Sequence, residues 1–300
     1  MPSIQSSIIK LIFHTRQLFN LDLFRPIDER RSDMDSLSKY LTYPSKVNVE
    51  YTDVNGVPCL YFTPYETVKG KVLLYLHGGA YINGPFSIYG PYVSRLSKSC
   101  KVNGILVGYR LTPEDPFPAA LEDVRIVYTH LMENGIKPSD ILIAGDSAGG
   151  GLAIASLVSF RIQELPMPNA SLVISPWADL TNSSESHQTK SKKDVMLSTK
   201  QLDVDANMYS HGMDLRNPLI SPVFANLTGL PPLFIQVGSD EILLSDSLTL
   251  AENAQKAGVP VTLKVWDGMF HVWHAMHLII PEGREAVKEA CAFIQERLAG

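Results

Sequence analysis

Short apolar runs alternate with stretches of helical periodicity along most of this 300-residue chain, and that rhythm limits the architectures open to it. Val72-Leu73-Leu74-Tyr75-Leu76 reads as a buried strand, and further runs follow at 105–109, 141–144, 172–174, 233–237 and 261–266. Helical patterns at 119–132, 149–163 and 247–256 lie between them, and one at 285–298 follows the last. Strands apolar on both faces need cover on both faces, so the pattern predicts a mostly parallel sheet between layers of helices. Upstream, 47–52 alternates, Asn55-Gly56 marks a hairpin turn and 59–63 returns antiparallel, adding strands at one edge. Pro58 suits the start of an edge strand.

The segments outside this rhythm are fewer. Ile4, Ile8, Leu11, Ile12, Leu18 and Phe19 fall near helical spacing, which predicts an amphipathic helix. Its expected partner is the protein's own core or pocket, with a membrane surface as the alternative. Lys10 and His14 interrupt the apolar stretch, which is too short for a stable membrane span and carries no cleavage site. The first forty or so residues read as helical with a polar break at 28–33. Residues 179–218 are too long for an ordinary connection between strands and read as an inserted functional element.

Composition excludes some classes. With 26 basic and 31 acidic side chains, the net charge of −5 leaves no basic footprint for nucleic acid. Cys59, Cys100 and Cys291 are widely spaced, odd in number and without a C-x-x-C pair. They read as free thiols in a reducing compartment, and the expected location is cytoplasmic.

Gly145-Asp146-Ser147-Ala148-Gly149 sits between the apolar run 141–144 and a helical pattern. G-x-S-x-G is a weak pattern alone, but this strand–turn–helix setting is that of a nucleophile elbow. The turn exposes the Ser147 hydroxyl, and the following helix aims backbone N–H groups at the place where an oxyanion develops. His77-Gly78-Gly79-Ala80-Tyr81 follows the strand at 72–76 and offers N–H groups for the same purpose. The expected donors are Ala148 with one or two of Gly78, Gly79 and Ala80, Gly78 and Gly79 being favoured because they lack side chains. His77 suits loop orientation better than general-base duty.

An acid and then a histidine are expected downstream of such a serine. Asp240 follows the strand at 233–237 and His271 follows that at 261–266, both at strand ends, where active sites of parallel sheets gather. His271 is the expected base and Asp240 the carboxylate that holds its tautomer, with Glu241 and Asp246 as rivals ranked below it by position. His271, His274 and His277 recur every third residue but lack a carboxylate partner motif, so no metal site is expected.

H-G-G-A-Y at His77, Y-R-L-T-P-E-D-P-F-P-A-A-L-E-D at Tyr109, G-D-S-A-G-G at Gly145, S-P-W-A-D-L at Ser175, P-P-L-F-I-Q-V-G-S-D-E at Pro231 and G-M-F-H at Gly268 together resemble the hormone-sensitive-lipase-like esterases, also called bacterial family IV. The resemblance covers roughly residues 45–300, with Ala80 standing where many relatives have a third glycine. It implies an α/β-hydrolase fold: a mostly parallel sheet of about eight strands, helices on both faces and a helical cap. The cap would comprise 1–45 and 179–218, and the catalytic core 46–178 and 219–300. Tyr81, Asp146 and Trp177 are candidates for the substrate pocket. The implied activity is hydrolysis of short- to medium-chain esters, small molecules, without a cofactor, and self-association into a homodimer stays open. An amidase or deacetylase would use the same acyl-enzyme chemistry. A non-catalytic ligand-binding member, as in plant gibberellin receptors, is disfavoured by the presence of His271.

Overall fold

The computed structural model describes residues 2–19, 26–39 and 41–299. After helices α1 (Ile4–Phe19) and α2 (Ile27–Ser38) come β1 (Val47–Val54) and β2 (Val57–Pro64), the hairpin expected around Asn55-Gly56. There follow β3 (Val72–Leu76), α3 (Phe86–Cys100), β4 (Asn103–Val107), α4 (Ala119–Glu133), β5 (Ile141–Asp146), α5 (Ser147–Ile162) and β6 (Ala170–Ile174). The inserted region carries α6 (Ser186–Thr189) and α7 (Thr199–Ser210), and β7 (Leu233–Gly238), α8 (Leu244–Lys256), β8 (Val261–Trp266) and α9 (Pro281–Leu298) complete the chain.

The eight strands form one sheet in the order β1-β2-β4-β3-β5-β6-β7-β8. Pairing is antiparallel for β1–β2 and β2–β4 and parallel from there on. Every residue of β3, β5, β6 and β7 is buried, as central parallel strands covered on both faces require. One apolar layer joins α4, α5 and α8 to the sheet, and a second lies under α3 and α9. Pro58 lies in β2, which has a neighbour on each side, so the edge belongs to β1; the proline sits beyond the β2–β4 register, where no ladder donor is needed.

Three further expectations are corrected. Helix α2 runs straight through the polar stretch read as a break. Helix α1 turns Ile9 and Phe13, not Ile4, Ile8, Leu11 and Ile12, onto the cluster of Met269, Phe270, Trp273 and Ile280. The latter four are between 52% and 78% exposed, and the side chains of Leu18 and Phe19 lie outside the described residues. Cys100 and Cys291 are joined in a disulfide between α3 and α9, leaving Cys59 as a buried free thiol that desolvation pushes up to about 12.

The two segments outside the core rhythm meet each other. Arg30 of α2 donates both terminal nitrogens to Asp205 of α7 at 2.9 and 2.8 Å. Arg31 forks onto Glu114 and donates to the carbonyls of Ile82 and Thr112, which fastens α2 beside the loop that follows β3.

Candidate active site

Ser147 is the first residue of α5, directly after β5, with a left-handed backbone (φ 53°) that a side chain rarely adopts. A Cβ at Gly145 would collide with the Gly149 backbone, and one at Gly149 with the carbonyls of Leu76 and His77. Both glycines let the helix start lie against the neighbouring strand end. Being in the first turn, Ala148 has an N–H without an intrahelical acceptor.

The loop after β3 turns through three successive left-handed residues, Gly79 (φ 119°), Ala80 (φ 55°) and Tyr81 (φ 61°). The Gly79 carbonyl closes the turn by accepting from the N–H groups of Ile82 and Asn83, both at 3.0 Å. The Gly78 N–H is already committed: it donates to Asp146 Oδ1 at 3.2 Å. That carboxylate also accepts from the hydroxyls of Tyr75 and Tyr89, each at 2.9 Å. Asp146 is therefore not a pocket residue but a buried post behind the loop. Burial raises its pKa, with the two tyrosine hydrogen bonds pulling the other way. Among the described residues, the N–H groups of Gly79, Ala80 and Ala148 carry no hydrogen bond, whereas that of Gly78, one of the two favoured donors, is taken by Asp146.

His77 is built into this scaffold. Its Nδ1–H donates to the Gly78 carbonyl at 2.8 Å, and its ring stacks on Tyr109 at 4.2 Å, in space that a Cβ on Gly84 would occupy. Tyr109 Oη donates in turn to the His77 carbonyl at 2.6 Å. Desolvation lowers the His77 pKa to about 4, so the ring stays neutral.

At the rim formed by β7 and β8, Glu241 and not Asp240 meets the histidine. His271 Nδ1 lies 2.8 Å from Glu241 Oε2, and the Glu241 side chain is fully buried. Glu241 Oε1 accepts from the Gly238 N–H at 2.6 Å and from the Ser175 hydroxyl at 2.8 Å. Asp240 points the other way, to Lys10 of α1 at 2.5 Å, and Lys10 also donates to the Gly268 carbonyl at 3.3 Å. The other rival, Asp246, accepts from the backbone of Ala178 and Asp179 and does not touch His271. Burial pushes the His271 pKa down, but the Glu241 hydrogen bond and the charges of Glu241, Asp194 and Asp146 outweigh it and leave a net rise. No hydrogen bond joins His271 to Ser147 among the described residues. The link between them runs through Ser175, which accepts from the Val272 N–H at 3.3 Å, and Trp177, whose N–H donates to the Ser147 carbonyl at 2.9 Å. A hydrogen bond between nucleophile and base is often long without substrate and tightens when it binds.

A family model for the alpha/beta hydrolase fold matches residues 73–275. An acetyl-hydrolase of Streptomyces hygroscopicus is 46% identical over 226 residues, 75% of this chain and 76% of that one. An esterase of Acinetobacter venetianus is 36% identical over 96% of this chain and 93% of its own. The crystal structure of an esterase from the bacterial hormone-sensitive lipase family superposes with a TM-score of 0.94 at 34% identity, covering 99% of each chain. The chain belongs to the hormone-sensitive-lipase-like esterases of the α/β-hydrolase fold.

In this esterase, Tyr81 and Trp177 belong to one aromatic group with Tyr209 of α7. The rings of Tyr81 and Tyr209 stack at 3.7 Å, and Trp177 donates its indole N–H to Asn182 at 2.8 Å. Sequence reasoning missed Tyr209, Tyr75, Tyr89 and Ser175. Ser175 lay inside the quoted S-P-W-A-D-L motif, but only its left-handed φ of 47° and full burial mark it as a bracket between acid and base loops. Glu241 differs from Asp240 in one legible respect: it directly precedes Ile242-Leu243, both completely buried. His274 is buried against Gln236 at 2.8 Å with its pKa lowered to about 3 by desolvation, and His277 packs on Tyr92.

Proposed function

We propose that this enzyme hydrolyses carboxylic esters of short to medium acyl chain through Ser147, His271 and Glu241 and a covalent acyl-enzyme. The observation that carries the reading is the buried Glu241–His271 pair, on the same sheet rim as a serine held in left-handed conformation at a helix start. Glu241 keeps the proton on His271 Nδ1, which leaves Nε2 free to accept the Ser147 proton. Ser147 Oγ then adds to the carbonyl carbon, and the N–H groups of Gly79, Ala80 and Ala148 take the oxyanion. The loss of one such donor typically costs on the order of 10²- to 10³-fold in rate. Collapse of the adduct expels the alcohol, which takes its proton from His271. Water activated by the same imidazole releases the acid and restores the serine.

The short-chain preference is supported by the Streptomyces relative, named an acetyl-hydrolase. Residues 1–45 and 179–218 would act as the cap over a core of 46–178 and 219–300; the Arg30–Asp205 fork ties the two cap segments together. The test is a series of p-nitrophenyl esters from acetate to palmitate, with a p-nitroanilide in parallel. The expected kcat/KM peaks between acetate and hexanoate. A maximum at palmitate would overturn the chain-length assignment, and anilide turnover equal to the ester's would make the enzyme an amidase.

The pH dependence follows from His271. Catalysis needs its neutral form, and the net rise in its pKa means that the neutral form appears later on raising the pH. The acidic limb of kcat/KM is therefore expected above the ordinary histidine value of 6.5, read from a pH–rate profile.

A further inference from the structure

The inserted segment is stitched to the turn that carries Glu241. Asp246, in the first turn of α8 directly after it, takes the Ala178 and Asp179 N–H groups at 3.0 and 2.9 Å. Ser186 and Ser245 exchange backbone-to-hydroxyl hydrogen bonds at 3.0 Å in both directions. Both main-chain groups of Ile242, the residue after Glu241, are held from the insertion. The Ser186 hydroxyl donates to its carbonyl, and Asp194 Oδ2 accepts its N–H at 2.8 Å. The second oxygen of Asp194 takes the N–H groups of Met196 and Leu197, each at 2.9 Å, which locks the carboxylate in place. Val195 packs with Met269, Phe270 and Trp273, the residues flanking His271. Asp194 is 1% exposed, so these three hydrogen bonds are formed away from competing water.

We propose that Asp194 is a positioning residue for the reaction: by fixing the peptide between Glu241 and Ile242 it sets the direction of the Glu241 carboxylate and, through it, the His271 ring. The inference rests on the reading of Glu241 as the carboxylate that orients His271. It makes the insertion part of the catalytic framework. An ångström of misplacement at such a distance from the reacting atoms costs up to about a hundredfold in rate.

The experiment compares Asp194→Ala, Asp194→Asn, Glu241→Gln and the Asp194→Ala/Glu241→Gln double variant with the parent enzyme. Kinetics use p-nitrophenyl butyrate, and the folded fraction comes from circular dichroism and thermal unfolding. Asp194→Ala is expected to lower kcat about 10- to 100-fold with KM within about threefold, and to add little to the loss already present in Glu241→Gln. Asp194→Asn keeps the shape but turns an amide N–H₂ toward one of the donors, so it also loses kcat, and it serves if the alanine variant does not fold. In both, the acidic limb of kcat/KM moves to lower pH, because of the charges facing His271 only Glu241 and Asp146 remain. Unchanged kcat in a folded Asp194 variant, a loss confined to KM, or multiplicative losses in the double variant would overturn the proposal. If Glu241→Gln itself retains full activity, the reading of Glu241 fails instead.

Discussion

Glu241→Gln is expected to lower kcat for p-nitrophenyl butyrate by about 10⁴-fold, while Asp240→Asn stays within about threefold of the parent enzyme. The glutamine can keep its carbonyl oxygen toward Gly238 and Ser175, the partners of Oε1. Its amide nitrogen then faces His271 Nδ1, where Oε2 now sits. Two N–H groups cannot share that space, so the imidazole adopts the other tautomer and presents Nε2–H to Ser147. The geometry survives and the base does not. Asp240→Asn, in contrast, weakens a partly exposed pair with Lys10, worth about 1 kcal/mol or less. Steady-state kinetics on the two variants, with circular dichroism as the control for folding, decide between the adjacent residues. A larger loss in Asp240→Asn would return the role to Asp240.

Ser147→Ala is expected to lower kcat by about 10⁶-fold, to whatever the oxyanion donors and substrate binding provide without a nucleophile. The hydroxyl makes no hydrogen bond among the described residues, so its removal leaves the packing of β5 and α5 in place. Alanine also tolerates the φ of 53° no worse than serine does. Thermal unfolding should therefore be unchanged or slightly raised, and a fluorophosphonate should label the parent enzyme but not the variant. Covalent labelling of the variant at the parent's rate would place the nucleophile elsewhere.

The sheet was legible because its signal is local. Three to five consecutive apolar residues in β3, β5, β6 and β7 need no knowledge of their neighbours, and the spacing between them leaves room for crossover helices. Helix α3 was not legible. Gly90, Pro91 and the serines at 87, 94, 97 and 99 depress its intrinsic propensity, and what holds it is burial of Tyr92, Val93, Leu96 and Cys100 against the sheet.

The choice between Asp240 and Glu241 failed for a related reason. Both stand at the end of β7, and which carboxylate turns inward depends on the Gly238 N–H reaching Glu241 and on Lys10, 230 residues away, reaching Asp240. Among the expected oxyanion donors, the lack of a side chain favoured Gly78, and nothing in the sequence showed that the Asp146 carboxylate takes its N–H. A disulfide between residues 191 apart has no signature in spacing.

That cross-link encloses a long stretch of chain in one covalent ring. Ser147, Glu241, His271 and the whole 179–218 segment lie between Cys100 and Cys291, whereas the oxyanion loop lies outside. A protease that nicks the backbone within the ring opens a circle and releases no fragment. The two pieces would migrate as one species on a denaturing gel until a thiol is added.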